Sequence, residues 1–260
     1  MALGGGTFVT QNKILPGAYI NIISAAAASP SLSDRGIVAM GLEIDWGPDG
    51  EVFEVTNGDF QKDSLKIFGY GYTDAKLKGL RDLFRNTRIL YAYKLTGGGV
   101  KASNTFATAK YAGLRGNDLK IAITANVDVP ADFDVKTYIE TQLIDTQTVT
   151  TAAELVANDF VDFKSDAVLA VTASTPLAGG TNLTVDGTAH QAFLDKIESY
   201  SFNVIGVVSN DPTTNQLYSA FAKRLRDEQG IKFQSVTYKN ADDYEGNVNV
   251  KNKVTDDGAS

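Results

Sequence analysis

No cysteine occurs in the 260 residues, so disulfides and thiolate-bound metals are excluded. Histidine is almost absent. His190 stands alone, which leaves little material for zinc binding or general-base chemistry. Basic charge is also short: 24 lysines and arginines face 31 aspartates and glutamates, for a net charge of −7 and a pI near 4.8. Such a surface argues against nucleic acid or an anionic membrane as the main partner. No apolar run is long enough to span a bilayer. The longest, Ile14 to Ala28, is broken by Pro16, Gly17, Asn21 and Ser24, whereas a span takes roughly 20 residues. Only Lys13 precedes it closely, so the basic start of a signal peptide is missing too. Neither a Walker A loop nor a dinucleotide-binding glycine pattern is present.

Hydrophobic content is 43% and charged content 21%, both ordinary for a globular protein. The length suits one large domain or two smaller ones, with enough chain to bury a core. Residues Tyr19, Ile20, Asn21, Ile22 and Ile23 read as a strand. Gly4 to Gly6 before it and the Ala/Ser/Pro tract after it read as joints. No short turn links it to a second strand, and a lone strand is not stable in water. Its partner is therefore distant, either later in this chain or on another chain.

The chain then alternates strands and helices, the pattern of an α/β core. Gly36 to Ile44 predicts a buried strand, Trp46 to Gly50 a turn, and Val52 to Val55 a second strand. Asp59 is expected to cap a helix that ends at Gly69. Asp74 is expected to cap another over Ala75 to Arg85, with Leu77, Leu80 and Phe84 on one face. Arg88 to Leu95 predicts a strand.

At Gly97 to Gly99 the texture changes. Residues 100–186 carry short alternating runs, at Leu119 to Thr124, Phe133 to Tyr138, Leu143 to Val149 and Ala167 to Ala173. One helix is expected over Thr151 to Asn158, with Thr151 and Glu154 as its capping box. Six basic and eleven acidic residues fall here, so this segment carries −5 and the remainder −2. The segment reads as an inserted, mostly β domain closed by Gly179 and Gly180.

From Gly187 the α/β texture resumes. Thr188 and Gln191 predict a capping box, and Phe193, Ile197 and Tyr200 share a face. Phe202 to Val208 is nearly all apolar, as a strand of a parallel sheet requires. Asp211 and Pro212 open a helix that Gly230 closes, Lys232 to Tyr238 forms a strand, and Val248 and Val250 mark an edge strand. The division is thus 1–36 arm, 37–99 core, 100–186 insertion, 187–260 core.

Candidate chemistry is sparse. Asp45, His190 and Ser209 are the residue types of a triad, but Ser209 lacks a glycine elbow and a sole histidine falls between many such pairs. Gly113 to Asp118 lacks the lysine of a phosphate loop and reads as a turn. Asp128, Asp132 and Asp134 lack the glycine and terminal glutamate of a calcium loop. Asp242, Asp243 and Glu245 read as a solvated acidic stretch. Tyr70, Tyr72, Tyr91 and Tyr93 fit either an interface or sheet packing. Asn182 heads a formal glycosylation sequon. No cofactor is indicated.

Four stretches carry a resemblance: Leu15 to Asn21 (Leu-Pro-Gly-Ala-Tyr-Ile-Asn), Leu42 to Pro48 (Leu-Glu-Ile-Asp-Trp-Gly-Pro), Phe60 to Tyr70, and Ala109 to Ile121. In order along the chain they closely resemble contractile tail sheath proteins, nearest those of Gram-positive phages and of defective-phage or bacteriocin particles. The resemblance implies a subtilisin-like α/β core without protease activity, an inserted β domain and an extended N-terminal arm. It implies a virion or tail-like particle assembled in the bacterial cytoplasm. There, six-fold rings of this subunit stack around an inner tube protein between baseplate and terminator, with no nucleic acid bound and no membrane insertion. Tyr19 to Ile23 would then be donated to a neighbour's sheet. Family members continue past the position of Ser260, so Met1 to about Gly17 is expected to be poorly ordered. Two other classes compete: an α/β hydrolase or nucleotide-binding enzyme, and a module that binds a surface through its acidic β domain.

Overall fold

The computed structural model describes residues 36–240 and 242–252. The expectations for Tyr19 to Ile23 and for Met1 to Gly17 lie outside the described residues.

Residues before and after the insertion build one six-stranded sheet, ordered β12-β11-β10-β1-β3-β2. Its strands are β1 (Ile37–Leu42), β2 (Val52–Thr56), β3 (Ile89–Lys94), β10 (Val204–Gly206), β11 (Gln234–Tyr238) and β12 (Asn247–Val250). All neighbours run parallel except β2, which pairs antiparallel with β3. Strand β1 sits between β3 and β10, so the two halves of the chain cannot separate without breaking the sheet.

Each face has its own helices. Helices α3 (Gly187–Ile197) and α4 (Pro212–Gln229) cover one face through Phe193, Ile197, Phe221 and Leu225, packed on Ala39, Tyr93, Ile205 and Phe233. Helices α1 (Asn57–Phe68) and α2 (Lys78–Phe84) cover the other over β1 to β3, where Phe60, Phe68, Leu77, Leu80 and Phe84 meet Val55, Leu90 and Ala92. A single 3-10 turn at Ala75–Leu77, capped by Asp74, leads into α2.

The insertion is stapled at its root. Val100 and Thr181 exchange backbone hydrogen bonds of 3.1 and 3.0 Å, joining its entry to its exit. Beyond lie β5 (Leu119–Ala125), β6 (Phe133–Ile139), β7 (Gln142–Val149) and β9 (Thr172–Pro176) in an antiparallel sheet ordered β7-β6-β5-β9. Two short strands, β4 (Ala107–Ala109) and β8 (Val161–Phe163), pair separately. Ile121, Ile123, Val135 and Val161 form this region's core.

Several local expectations shift. The cap of α1 is Thr56, and Asp59 is its partner in a reciprocal capping box. The cap of α3 is Asp186, whose carboxylate accepts from the Thr188 and Ala189 amides at 2.9 and 3.0 Å. Gln191 instead donates to Asp195 at 2.7 Å. A charged acceptor bonding two free amides displaces Thr188 from the cap position. The expected helix over Thr151 to Asn158 is only a turn, Ala152–Glu154. Gln147 holds the following chain extended, bonding Val156 O and Val156 N at 2.8 and 2.9 Å as a strand neighbour would. Asn158 then accepts from the Phe160 and Val161 amides, each at 2.9 Å. The strand expected at Ala167 to Ala173 begins later, at Thr172.

The cap assignment is directly testable. Asp186→Ala is expected to destabilise the protein by about 1 kcal/mol, whereas Thr188→Ala changes stability little. Urea unfolding of both variants measures this, and equal losses would return the cap to Thr188.

Candidate functional site

The residues of the formal triad do not converge. His190 faces Tyr218, with Nδ1 2.9 Å from the hydroxyl, and both are buried. Burial holds the imidazole below its ordinary pKa, against opposing pulls from Asp186 and Asp211. Burial also raises the Tyr218 phenol. Ser209 Oγ accepts from the Asp211 amide at 3.1 Å. Asp45 sits in a different network.

That network lies where the insertion meets the six-stranded sheet. Asp45 follows the carboxyl end of β1. Its Oδ2 accepts from Tyr70 OH at 2.7 Å and from Lys76 Nζ at 2.9 Å, and its Oδ1 accepts from Asn182 Nδ2 at 2.7 Å. Burial pushes this carboxyl up, but the three hydrogen bonds outweigh it and leave it below the usual range. Lys76 is raised by the hydrogen bond it donates to Tyr70 OH, at 2.7 Å, and then by the one to Asp45. Asn182 closes the loop by accepting from the Leu114 amide at 3.1 Å, so the sequon side chain is committed to structure.

Beside it, Trp46 is fully buried. It belongs to the sheet's segment but packs on the insertion, with Phe160 stacked at 5.8 Å and Tyr111 edge-on at 5.2 Å. Its indole N–H donates to Lys66 O at 3.0 Å. Lys94, at the end of β3, has a fully buried side chain. It pairs with Asp49 at 2.9 Å and donates to the Ala112 carbonyl across the junction. Arg115 reaches back to Gly69 O at 2.7 Å, pairs with Asp118 at 2.9 Å and Glu140, and lies 4.3 Å from the Tyr70 ring centroid. Two backbones touch here. A Cβ on Gly113, whose φ is +133°, would fall 2.1 Å from Asp45 O.

This arrangement clamps two bodies together. It presents saturated hydrogen bonds and paired charges rather than a free nucleophile, base or oxyanion donor set. Several of the remaining candidates are likewise engaged. Gly113 precedes a 3-10 turn, Leu114–Asp118, that feeds β5. Asp134 accepts from Asn126 and Thr148, both at 2.8 Å, and Asp132 from Thr150 at 2.8 Å. Among the described residues no cluster of His and acidic groups is placed to hold a metal. Nor is any helix among them long and apolar enough to cross a membrane. Glu245 pairs with Arg226 at 3.2 Å. Tyr91 and Tyr93 pack on Tyr200 and Phe193, so they serve the sheet.

Sequence reasoning missed Tyr70, Lys76, Lys94 and Arg115 as members of the clamp. Two signals were present: a lysine ending an otherwise apolar strand, and an arginine between glycines in a short turn.

His190 makes stability depend on pH. Its folded pKa lies below the unfolded value, so its contribution is complete above about pH 6.5. It falls as pH drops through the folded value, because the unfolded chain then binds the extra proton. Urea midpoints between pH 7.5 and 5.5 are expected to fall more in the wild type than in His190→Asn. Parallel pH profiles would show that the imidazole does not titrate with folding.

Comparison with known proteins supplies the context. Residues 35–95 match the tail sheath protein Gp18 domain III N-terminal region, 96–182 the phage tail sheath protein beta-sandwich domain, and 184–258 the phage tail sheath protein central domain. The chain is 36% identical over 277 aligned positions to the phage-like element PBSX protein XkdK of Bacillus subtilis, covering 97% of this chain and 59% of that one. It is 33% identical to YqbK of the same organism over the same shares. The chain thus spans about six-tenths of the length of these relatives. The sheath tail protein of Desulfitobacterium hafniense superposes with a TM-score of 0.79 at 38% identity, over 91% of this chain and 56% of that one. That of Listeria innocua superposes with a TM-score of 0.71 at 33% identity, over 84% and 50%. The chain therefore belongs to the phage tail sheath proteins.

Proposed function

We propose that the chain is a structural subunit of a contractile tail sheath. Copies stack as six-fold rings around an inner tube, between baseplate and terminator. Shortening of the lattice drives the tube through a bacterial envelope. The observation that carries this reading is the match of three sheath models, in order, over 35–258. The clamp supports it, because a subunit that transmits force needs its two layers joined.

The domain division 1–36, 37–99, 100–186 and 187–260 belongs to the same proposal. So does a subtilisin-like reading of the core, which the five parallel strands favour. The subunits are tied by strand addition, with Tyr19, Ile20, Asn21, Ile22 and Ile23 of one copy entering a neighbour's sheet. Each backbone hydrogen bond adds about 0.5–1.5 kcal/mol net, so one five-residue strand gives only a few kcal/mol. Repetition along the lattice makes such weak ties sufficient, and a head-to-tail contact that does not close yields a helical polymer.

Negative-stain microscopy of the purified chain tests this. Deleting residues 1–24 is expected to abolish rings and tubes while leaving a monomer with unchanged circular dichroism. Assembly that survives the deletion, or an intact chain that forms no ordered polymer under any condition, would contradict the proposal.

A further inference from the structure

The distal tip of the insertion turns apolar side chains to solvent from a loop whose polar groups are spent on holding its shape. Strand β5 carries the chain about 20 Å away from the root, and residues 126–132 then join it to β6. Asn126 Oδ1 accepts from the Asp128 and Val129 amides at 2.9 and 2.8 Å, and its Nδ2 donates to Asp134 at 2.8 Å. The Asn126 amide donates to Asp132 O, and the Asp132 amide to Val129 O, both at 2.9 Å. The loop is thus fixed, yet Val127 is 91% exposed and Val129 is exposed beside it. The pairing of Ile123 with Thr172 sets Val171, 66% exposed, at the same end of the sheet. Single exposed valines need no explanation, but a cluster of them marks a contact surface.

The charge around the tip selects the partner. Lys136 is the only base between Lys120 and Lys164, whereas Asp128, Asp132 and Asp134 lie on the loop and the start of β6. An acidic, apolar tip fits a surface that is basic and apolar, and this chain carries one. Residues 57–88, which contain α1 and α2, hold seven basic and four acidic residues in a chain of net charge −7. Lys62, Arg85 and Arg88 are exposed there. The Asn57 amide donates to Arg88 O at 3.2 Å, and Asn57 Nδ2 to Phe84 O at 3.4 Å, so both arginines stand beside the start of α1. Tyr72, 37% exposed, meets Phe60 of that helix at 5.3 Å and supplies the apolar part. The chain already joins these two regions within itself, since Lys66 of α1 pairs with Asp159 of the insertion at 2.9 Å. Tip and helical layer are different surfaces, so a contact of this kind between copies is head-to-tail and need not close.

We propose that the distal tip of the insertion docks on the α1–α2 layer of a second copy of this chain. Val127 and Val129 lie against Tyr72, and the acids of the tip face Lys62, Arg85 and Arg88. The contact rests on the sheath reading, which brings copies together, but not on strand donation.

Because the protein has no cysteine, Val127→Cys gives a unique attachment point for a photo-activated crosslinker. The labelled chain is mixed with isotope-enriched wild-type chain and irradiated, and the joined peptides are identified by mass spectrometry. The isotope separates contacts between copies from contacts within one. Crosslinks from position 127 to residues 57–88 of the enriched copy are expected. Asp128→Lys in the labelled chain is expected to abolish them, and so is Lys62→Glu with Arg88→Glu in the enriched chain. All three positions are exposed, and an unchanged far-ultraviolet spectrum checks that each variant is folded. Combining the two reversed chains is expected to restore the crosslinks. The absence of crosslinks between copies overturns the proposal, as do crosslinks confined to another surface. Crosslinks that persist through either reversal, or that the reversed pair fails to recover, overturn it too. Rings and tubes are scored separately by microscopy of the wild-type chain. Polymers that lack these crosslinks would overturn the docking contact and leave the sheath reading in place.

Discussion

The burial of Trp46 is the constraint on which the rest depends. The side chain leaves the sheet's own segment and fills the insertion's core, between Tyr111 and Phe160. Removing a buried tryptophan costs about 3–5 kcal/mol, a large share of a domain's net stability. The polar clamp around it then fixes orientation. Lys94 is buried against the part-exposed Asp49, and losing Asp49 would strand the lysine's charge away from water. Apolar packing holds the layers together, and the charged groups dictate a single geometry.

Topology makes this junction necessary. The central strand β1 comes from the segment before the insertion, yet it pairs with β10 from the segment after it. The insertion must therefore leave and return at one place, and Val100 and Thr181 bond to each other there. A two-chain root alone would be a hinge. Arg115, Lys94 and Trp46 lie to its side and remove that freedom, which suits a subunit that carries load.

Much of this was legible in the sequence, for physical reasons that differ by element. The α/β core showed itself through the apolar run at Phe202 to Val208 and the stripe of Leu77, Leu80 and Phe84, because buried faces impose a period. The β insertion showed itself through the alternation at Phe133 to Ile139. The ends were less legible. Thr188 read as the cap of α3, and only geometry shows that the Asp186 oxygen reaches the free amides instead. The missing helix after Thr151 was not read because its competitor is a side chain, Gln147, which mimics a strand partner for Val156. The clamp was largely hidden because its members lie far apart in sequence. Asp45, Tyr70, Lys76 and Asn182 span most of the chain, and no local pattern announces that they meet. The search for chemistry around His190 failed in an informative way: its partner is a buried tyrosine, and the acids beside it cap helices.

The central claim is that the sheet and the insertion form one cooperative body through the Trp46 junction. Trp46 is the only tryptophan, so its fluorescence reports that junction alone. The direct test is urea unfolding followed in parallel by tryptophan fluorescence and far-ultraviolet circular dichroism. The account predicts coincident transitions with one midpoint, as cooperative unfolding requires. A fluorescence transition that precedes the loss of secondary structure would show that the junction opens while both layers persist, and would contradict it.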